Sequence, residues 1–272
     1  MPTFRLTLSY DGTAFGGSQI QPGQRTVQGE LEAALRRLGG LEANTTFAGR
    51  TDRGVHAFGQ VVAVSFPEWR ATAGDLERAL AARLPGDMAA RNVVESNTAF
   101  NPRFDAVWRE YRYWIVPGVM SPFLGRYAWL LRDGGDTARM NEAAKFLLGT
   151  HDFASFAGGG EGVPWSERAT RRRGTTRTLL RCAVRHLEVG LGPGRDTGVE
   201  AVEVRVAADG FLPRMVRNIT GALVEVGQGR REPTWIGEIL AVKDRRQGSA
   251  VAPAHGLTLW RVGFAGDALV DE

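Results

Sequence analysis

Two hydrophobic periods alternate along this chain, and their order limits the fold more than any other feature. Phe4, Leu6, Leu8 and Tyr10 occupy every second position, the spacing of a strand with one buried face, and Asp11-Gly12 ends the run with turn chemistry. Val27, Leu31, Ala34, Leu35 and Leu38 then fall at helical spacing, with Thr26 as N-cap and Gly39-Gly40 as the stop. Strands over 45–48 and 61–66, a helix over 75–84 with Leu76, Leu80 and Leu84 in line, and a strand over 90–95 complete a β-α-β-β-α-β unit.

A second pass begins near residue 106. A long aromatic strand over 107–116 leads to a helix over 141–148, with Asp136 as its cap and Gly149 as its end. Strands over 178–189 and 199–206 flank a glycine-rich turn, and Pro213 opens a helix whose stripe is Met215, Ile219, Leu223 and Val226. One extra helix over 235–242 precedes a last strand over 257–264. Two such units predict an α+β protein with lobes at 1–105 and 106–272. Each lobe is expected to be ferredoxin-like, a mostly antiparallel sheet with helices on one face and the other face open to a large ligand.

Several classes drop out. With 43% hydrophobic residues over 272 positions the chain is too apolar to be disordered. Cys182 is the only cysteine, which excludes an intrachain disulfide and a cysteine-rich zinc site. His56, His151, His186 and His255 are too widely spaced for a helical metal pair, so no metal is expected. No G-K-[ST] occurs, and Gly190–Gly194 joins two strands instead of opening a helix, against an NTPase or a dehydrogenase. No apolar run reaches membrane-spanning length and no basic-then-apolar leader opens the chain, so a soluble, cytoplasmic protein is expected. The net charge is +4, and 32 of the 34 basic residues are arginine. Arginine's planar fork grips phosphate and stacks on bases, which favours an anionic partner; genome composition or heat tolerance is the other reading.

The sharpest local feature is Gly49-Arg50-Thr51-Asp52-Arg53-Gly54-Val55-His56-Ala57, between two expected strands. Two readings are open. Asp52 caps a turn while the arginines face solvent, or the guanidiniums of Arg50 and Arg53 hold it ionised as a nucleophile or base. Tyr111 shares a strand face with Arg109, Tyr113 and Ile115, which suits core packing or a stacking platform. Arg214 and Arg217, three apart, share a helix face and suit either a solvated surface or a site beyond the helix start. The densest basic run, Arg168, Arg171, Arg172, Arg173, Arg177, Arg181 and Arg185, has no acidic residue within it and is the best candidate for phosphate contact. The glycine-rich 158–162 before it reads as a mobile loop that RNA orders.

The 49–57 stretch resembles the catalytic motif of the tRNA pseudouridine synthase A family. Five other segments resemble the same family in the same order: Tyr10-Asp11-Gly12-Thr13 with Thr26–Glu32, Arg109–Tyr113, Gly149–Phe156, Met215–Ile219 and Ala254–Leu257. The likeness covers nearly the whole chain. It implies the pseudouridine synthase fold and an isomerase that converts uridine to pseudouridine in the tRNA anticodon stem-loop, at tRNA positions 38 to 40, without a cofactor. It further implies a homodimer with one tRNA touching both subunits. By the same resemblance Asp52 is the catalytic aspartate, Tyr111 stacks on the target base, Arg217 pairs with Asp52, and Arg50 helps extrude the nucleotide. Where the family usually reads Gly-Trp-Gln, this chain has Gly17-Ser18-Gln19, which removes a bulky contact.

Residue chemistry agrees with that reading. Moving uracil from an N- to a C-glycosidic bond needs a carboxylate near the sugar and something to retain the detached base. Stacking on one aromatic contributes about 1–3 kcal/mol, close to the cost of unstacking a base, so backbone contacts from arginine must supply the remainder. A different class, a non-catalytic tandem RNA-recognition protein, would need exposed aromatics on its third strand, where 59–66 offers valines. An enzyme for a small acidic metabolite is a third option, separated by whether tRNA binds.

Overall fold

The computed structural model describes residues 2–40, 43–118, 122–158, 174–190 and 198–270. Contacts divide the chain into two units, Met1–Arg109 with Thr258–Glu272, and Glu110–Leu257. The expected lobes, 1–105 and 106–272, place the last strand in the second half instead.

The first unit is built from β1 (Thr3–Tyr10), α1 (Val27–Arg37), β2 (Asn44–Phe47), β3 (His56–Ser65), α2 (Ala73–Ala81), β4 (Met88–Ser96) and the short α3 (Pro102–Asp105), with β10 (Leu257–Gly263) joining from the far end of the sequence. Its strands run β4-β1-β3-β10, and β2 also pairs with β3. The β1–β3, β1–β4 and β2–β3 pairs are antiparallel and β10 lies parallel to β3. Phe4, Leu6, Leu8 and Tyr10 are buried while Arg5 is exposed, as alternation requires. The Thr26 hydroxyl accepts from Gly29 N at 3.2 Å and starts α1, whose Val27, Leu31, Ala34 and Leu35 are fully buried. Thr72 and Asp75 cap α2 reciprocally. On the other face Ala48, Val61, Ala106 and Phe264 form a second apolar cluster. β3 begins five residues before the expected strand. Only the valine run carries a strand signal, so the sequence alone places His56–Gln60 in the loop.

The second unit holds most of β5 (Trp108–Pro117), then β6 (Trp129–Leu131), α4 (Thr137–Lys145), β7 (Gly149–Asp152), β8 (Thr176–Gly190), β9 (Gly198–Ala208), α5 (Met215–Gly227) and α6 (Trp235–Val242). Its strand order is β5-β9-β8-β7, with β6 parallel to β5. Asp136 caps α4 as expected, accepting from Ala138 N and Arg139 N. α5 is buried on nearly every side, and Gly227 is where it meets α4: a Cβ there would lie 2.1 Å from Met140 Cε. Each unit thus combines a mostly antiparallel sheet with packed helices, the expected α+β class.

Candidate active site

The Asp52 loop is held by buried neighbours. Gln60, fully buried, donates through Nε2 to Gly49 O at 2.8 Å and accepts from Gly49 N at 3.3 Å. Thr51 N donates to Ser18 Oγ at 2.9 Å, Thr51 O accepts from Ser18 N at 3.0 Å, and the Thr51 and Tyr10 hydroxyls are 2.8 Å apart. Ser18, Thr51 and Tyr10 are all buried. Beyond Asp52 the chain turns through Gly54 at φ +78°, with Val55 N donating to Asp52 O at 3.1 Å. Asp52 itself is exposed, at the first position of this turn.

A second anchor explains the pairing of the opening motif with the catalytic one. Gly12 N donates to Nδ1 of buried His56 at 2.9 Å, and a Cβ on Gly12 would fall 2.0 Å from Val55 O. Only glycine admits that approach. From the other side, Arg109 donates to Ala48 O and Arg103 O, both at 2.8 Å, and to Ala106 O at 3.0 Å, tying the loop's entry to α3. Arg50 and Arg53 are exposed. Desolvation, then the neighbouring Arg103 cation, draws Arg50 below the ordinary guanidinium range. Two like charges held close together suit a polyanion.

In the second unit Tyr111 is 8% exposed and meets Phe211 edge to face, with ring centroids 5.1 Å apart. Tyr113, on the same face of β5, is fully buried; its hydroxyl donates to Pro253 O at 2.9 Å, and burial raises its pKa strongly. Arg217 is half-buried on α5. Its Nε donates to Ala252 O at 2.7 Å, and its own carbonyl accepts from Ala252 N at 3.2 Å. Burial first, and then the Arg217 charge, lower the pKa of His255, opposed by a hydrogen bond that the imidazole donates to the Ala128 backbone. The tyrosine strand, the helix-start arginine and the Ala254-His255-Gly256 turn therefore share one neighbourhood. Asn218, next to Arg217, donates to Phe156 O at 2.6 Å and accepts from Arg245, which attaches the 149–156 segment to α5.

The expected phosphate-binding run divides. Arg168, Arg171, Arg172 and Arg173 lie outside the described residues. Arg177 folds back to donate to Gly174 O and Thr176 O. Arg181 and Arg185, instead of standing out from the sheet, face buried glutamates: Arg185 Nε is 2.7 Å from Glu203 and Arg181 3.8 Å from Glu110. Arg112 and Arg205 complete this network at Glu203. Among the described residues no group of three or more His, Cys, Asp or Glu could hold a metal ion, and no helix is long and apolar enough to cross a membrane.

The comparisons with known proteins meet these same segments. The family model described as tRNA pseudouridine synthase matches residues 7–105 and 143–265. The chain belongs to the tRNA pseudouridine synthase family. It is 40% identical over 264 residues to the tRNA pseudouridine synthase A of Thermosipho africanus, covering 97% of this chain and all of that one. It is also 40% identical to the proteins of that name from Geobacillus kaustophilus, over 98% and 96% of the two chains, and Thermotoga maritima, over 97% and 100%. As a tRNA pseudouridine synthase family member, the chain has supports that the sequence reading left out: Gln60, Arg109 and the Tyr10–Thr51 contact. Arg109 opens a motif-like segment and Gln60 lies just past the 49–57 stretch, but their partners are 61 residues away for Arg109 and 11 for Gln60, and no local pattern reveals them. Ser18 stood out as a departure, read as a lost contact; it is a buried tie to Thr51.

Proposed function

We propose that this chain isomerises uridine to pseudouridine in tRNA, with Asp52 as the catalytic carboxylate. The observation that carries the reading is the Asp52 loop. In a chain of this family, one aspartate is presented to solvent at the start of a turn, just after Thr51 and Gly49 are tied to the buried Ser18 and Gln60. Such a carboxylate is positioned without being sequestered, as a group acting on a large incoming substrate must be.

The reaction balances within the substrate. The N1–C1′ bond breaks, the uracil turns, a C5–C1′ bond forms, the C5 proton leaves and N1 gains one, with no oxidant or reductant. Asp52 acts at the ribose, as nucleophile on C1′ or as base for the 2′ proton. Tyr111 stacks on the base while it is detached, Arg217 pairs with Asp52, and Arg50 aids extrusion of the nucleotide. Arg168, Arg171, Arg172, Arg173 and Arg177 grip the RNA backbone. No cofactor takes part. The substrate region is the anticodon stem-loop, and the working form is a homodimer in the cytoplasm.

The test is direct. Purified chain, with nothing added but buffer, should release tritium from tRNA carrying 5-tritiated uridine and leave pseudouridine in the anticodon arm. Absence of release at stoichiometric enzyme would refute the assignment.

A further inference from the structure

Phe58 follows the Asp52 loop by only six residues, and it is 49% exposed although it stands on a central strand. Its ring is not idle. Trp260 on β10 stacks against it, with centroids 4.7 Å apart and planes 15° from parallel. Gly59 makes this possible: a Cβ there would lie 2.3 Å from Trp260 O, so only glycine lets β10 approach so closely. The Arg91 guanidinium carbon lies 4.4 Å from the Phe58 ring centroid. Arg91 is fixed there by donating to Phe58 O at 2.7 Å and to Ser9 Oγ, and Ser9 in turn donates to Phe58 O at 2.8 Å. Arg5, on the same outward face of β1 as Ser9, repeats the arrangement over Phe264 at 4.9 Å.

An ordinary surface arginine does not hold its plane; this one is locked by two hydrogen bonds on top of an aromatic pair. A fixed guanidinium plane bearing full charge is complementary to a nucleobase with its phosphate, and poorly complementary to an apolar protein face. We propose that Arg91, Phe58 and Trp260 form a stacking column that receives one unpaired base of the RNA substrate on the guanidinium of Arg91. This rests on the tRNA reading above and adds to it a base contact outside the reacting nucleotide. It also accounts for the feature that the sequence reading found missing, an exposed aromatic on the third strand. That strand begins at His56, so the aromatic lies ahead of the valines.

Two variants of the intact chain test it with full-length tRNA. Arg91→Lys keeps the charge and removes the plane; Phe58→Leu keeps apolar bulk and removes the ring face that supports it. Each should weaken tRNA binding about tenfold, in the range of one lost base stack. The slope of log affinity against log salt should stay unchanged in Arg91→Lys, because no phosphate contact is lost. A dissociation constant within twofold of wild type for either variant overturns the column. So does a loss that accompanies altered sedimentation, which assigns the face to a second copy of the chain. Failure of the tRNA reading itself would look different: the wild-type chain would neither bind tRNA nor release tritium, and the column would fall with it.

Discussion

Replacing Ser18 by alanine removes one oxygen from the support of the catalytic turn. Ser18 is 2% exposed and Thr51 6%, so when Oγ is lost the Thr51 N–H at 2.9 Å has neither that acceptor nor ready access to water. An unsatisfied buried donor costs about 1–3 kcal/mol. The second tie, Ser18 N to Thr51 O at 3.0 Å, involves only backbone and survives, so the loop is loosened rather than released. Ser18→Ala should therefore lose about 1–3 kcal/mol in urea denaturation, or roughly 2–4 °C of melting temperature for each kcal/mol at about this chain length. Because the same bond fixes the residue before Asp52, kcat for tritium release should fall several-fold while KM for tRNA changes little. A variant with wild-type stability and wild-type kcat would refute the view that Ser18 positions the turn.

Two further outcomes follow from the second unit. Glu203 is fully buried and faces Arg112, Arg185 and Arg205, so Glu203→Ala should cost about 3–5 kcal/mol by stranding those cations, measured by denaturation; a loss below 1 kcal/mol would contradict the network. His255 has a lowered pKa when folded, so the unfolded chain binds its proton more readily. The stability that His255 contributes is full above the unfolded value of about 6.5 and is lost as pH falls through it. His255→Gln should flatten this part of the stability profile between pH 7 and 5, and an unaltered slope would refute the assignment.

Much of the fold was legible because it is written locally. The β1 alternation, the Thr26 and Asp136 caps and the stripe of α5 each need only near neighbours. α3, β6 and β7, of three or four residues, are too short to carry a period, and α5 starts from Arg214 at φ +58° without any side-chain cap to announce it. The site divides the same way. The glycine-bounded motif singles out Asp52 as a candidate, whereas the ties that hold its loop span 33 residues to Ser18 and 41 to Tyr10 and exist only once β1 and β3 are paired. At the far end of the arginine run spacing counts charges, and only the β8–β9 register reveals that Arg185 stands opposite Glu203.

The central claim is that the Asp52 carboxylate performs the chemistry on a tRNA bound by other residues. Asp52→Asn keeps size and polarity and removes the negative charge, so its tritium release from 5-tritiated-uridine tRNA, measured with enzyme in excess, reads that claim with least ambiguity. Release should stay at background while tRNA affinity remains within about twofold of wild type; turnover near the wild-type rate would contradict the account.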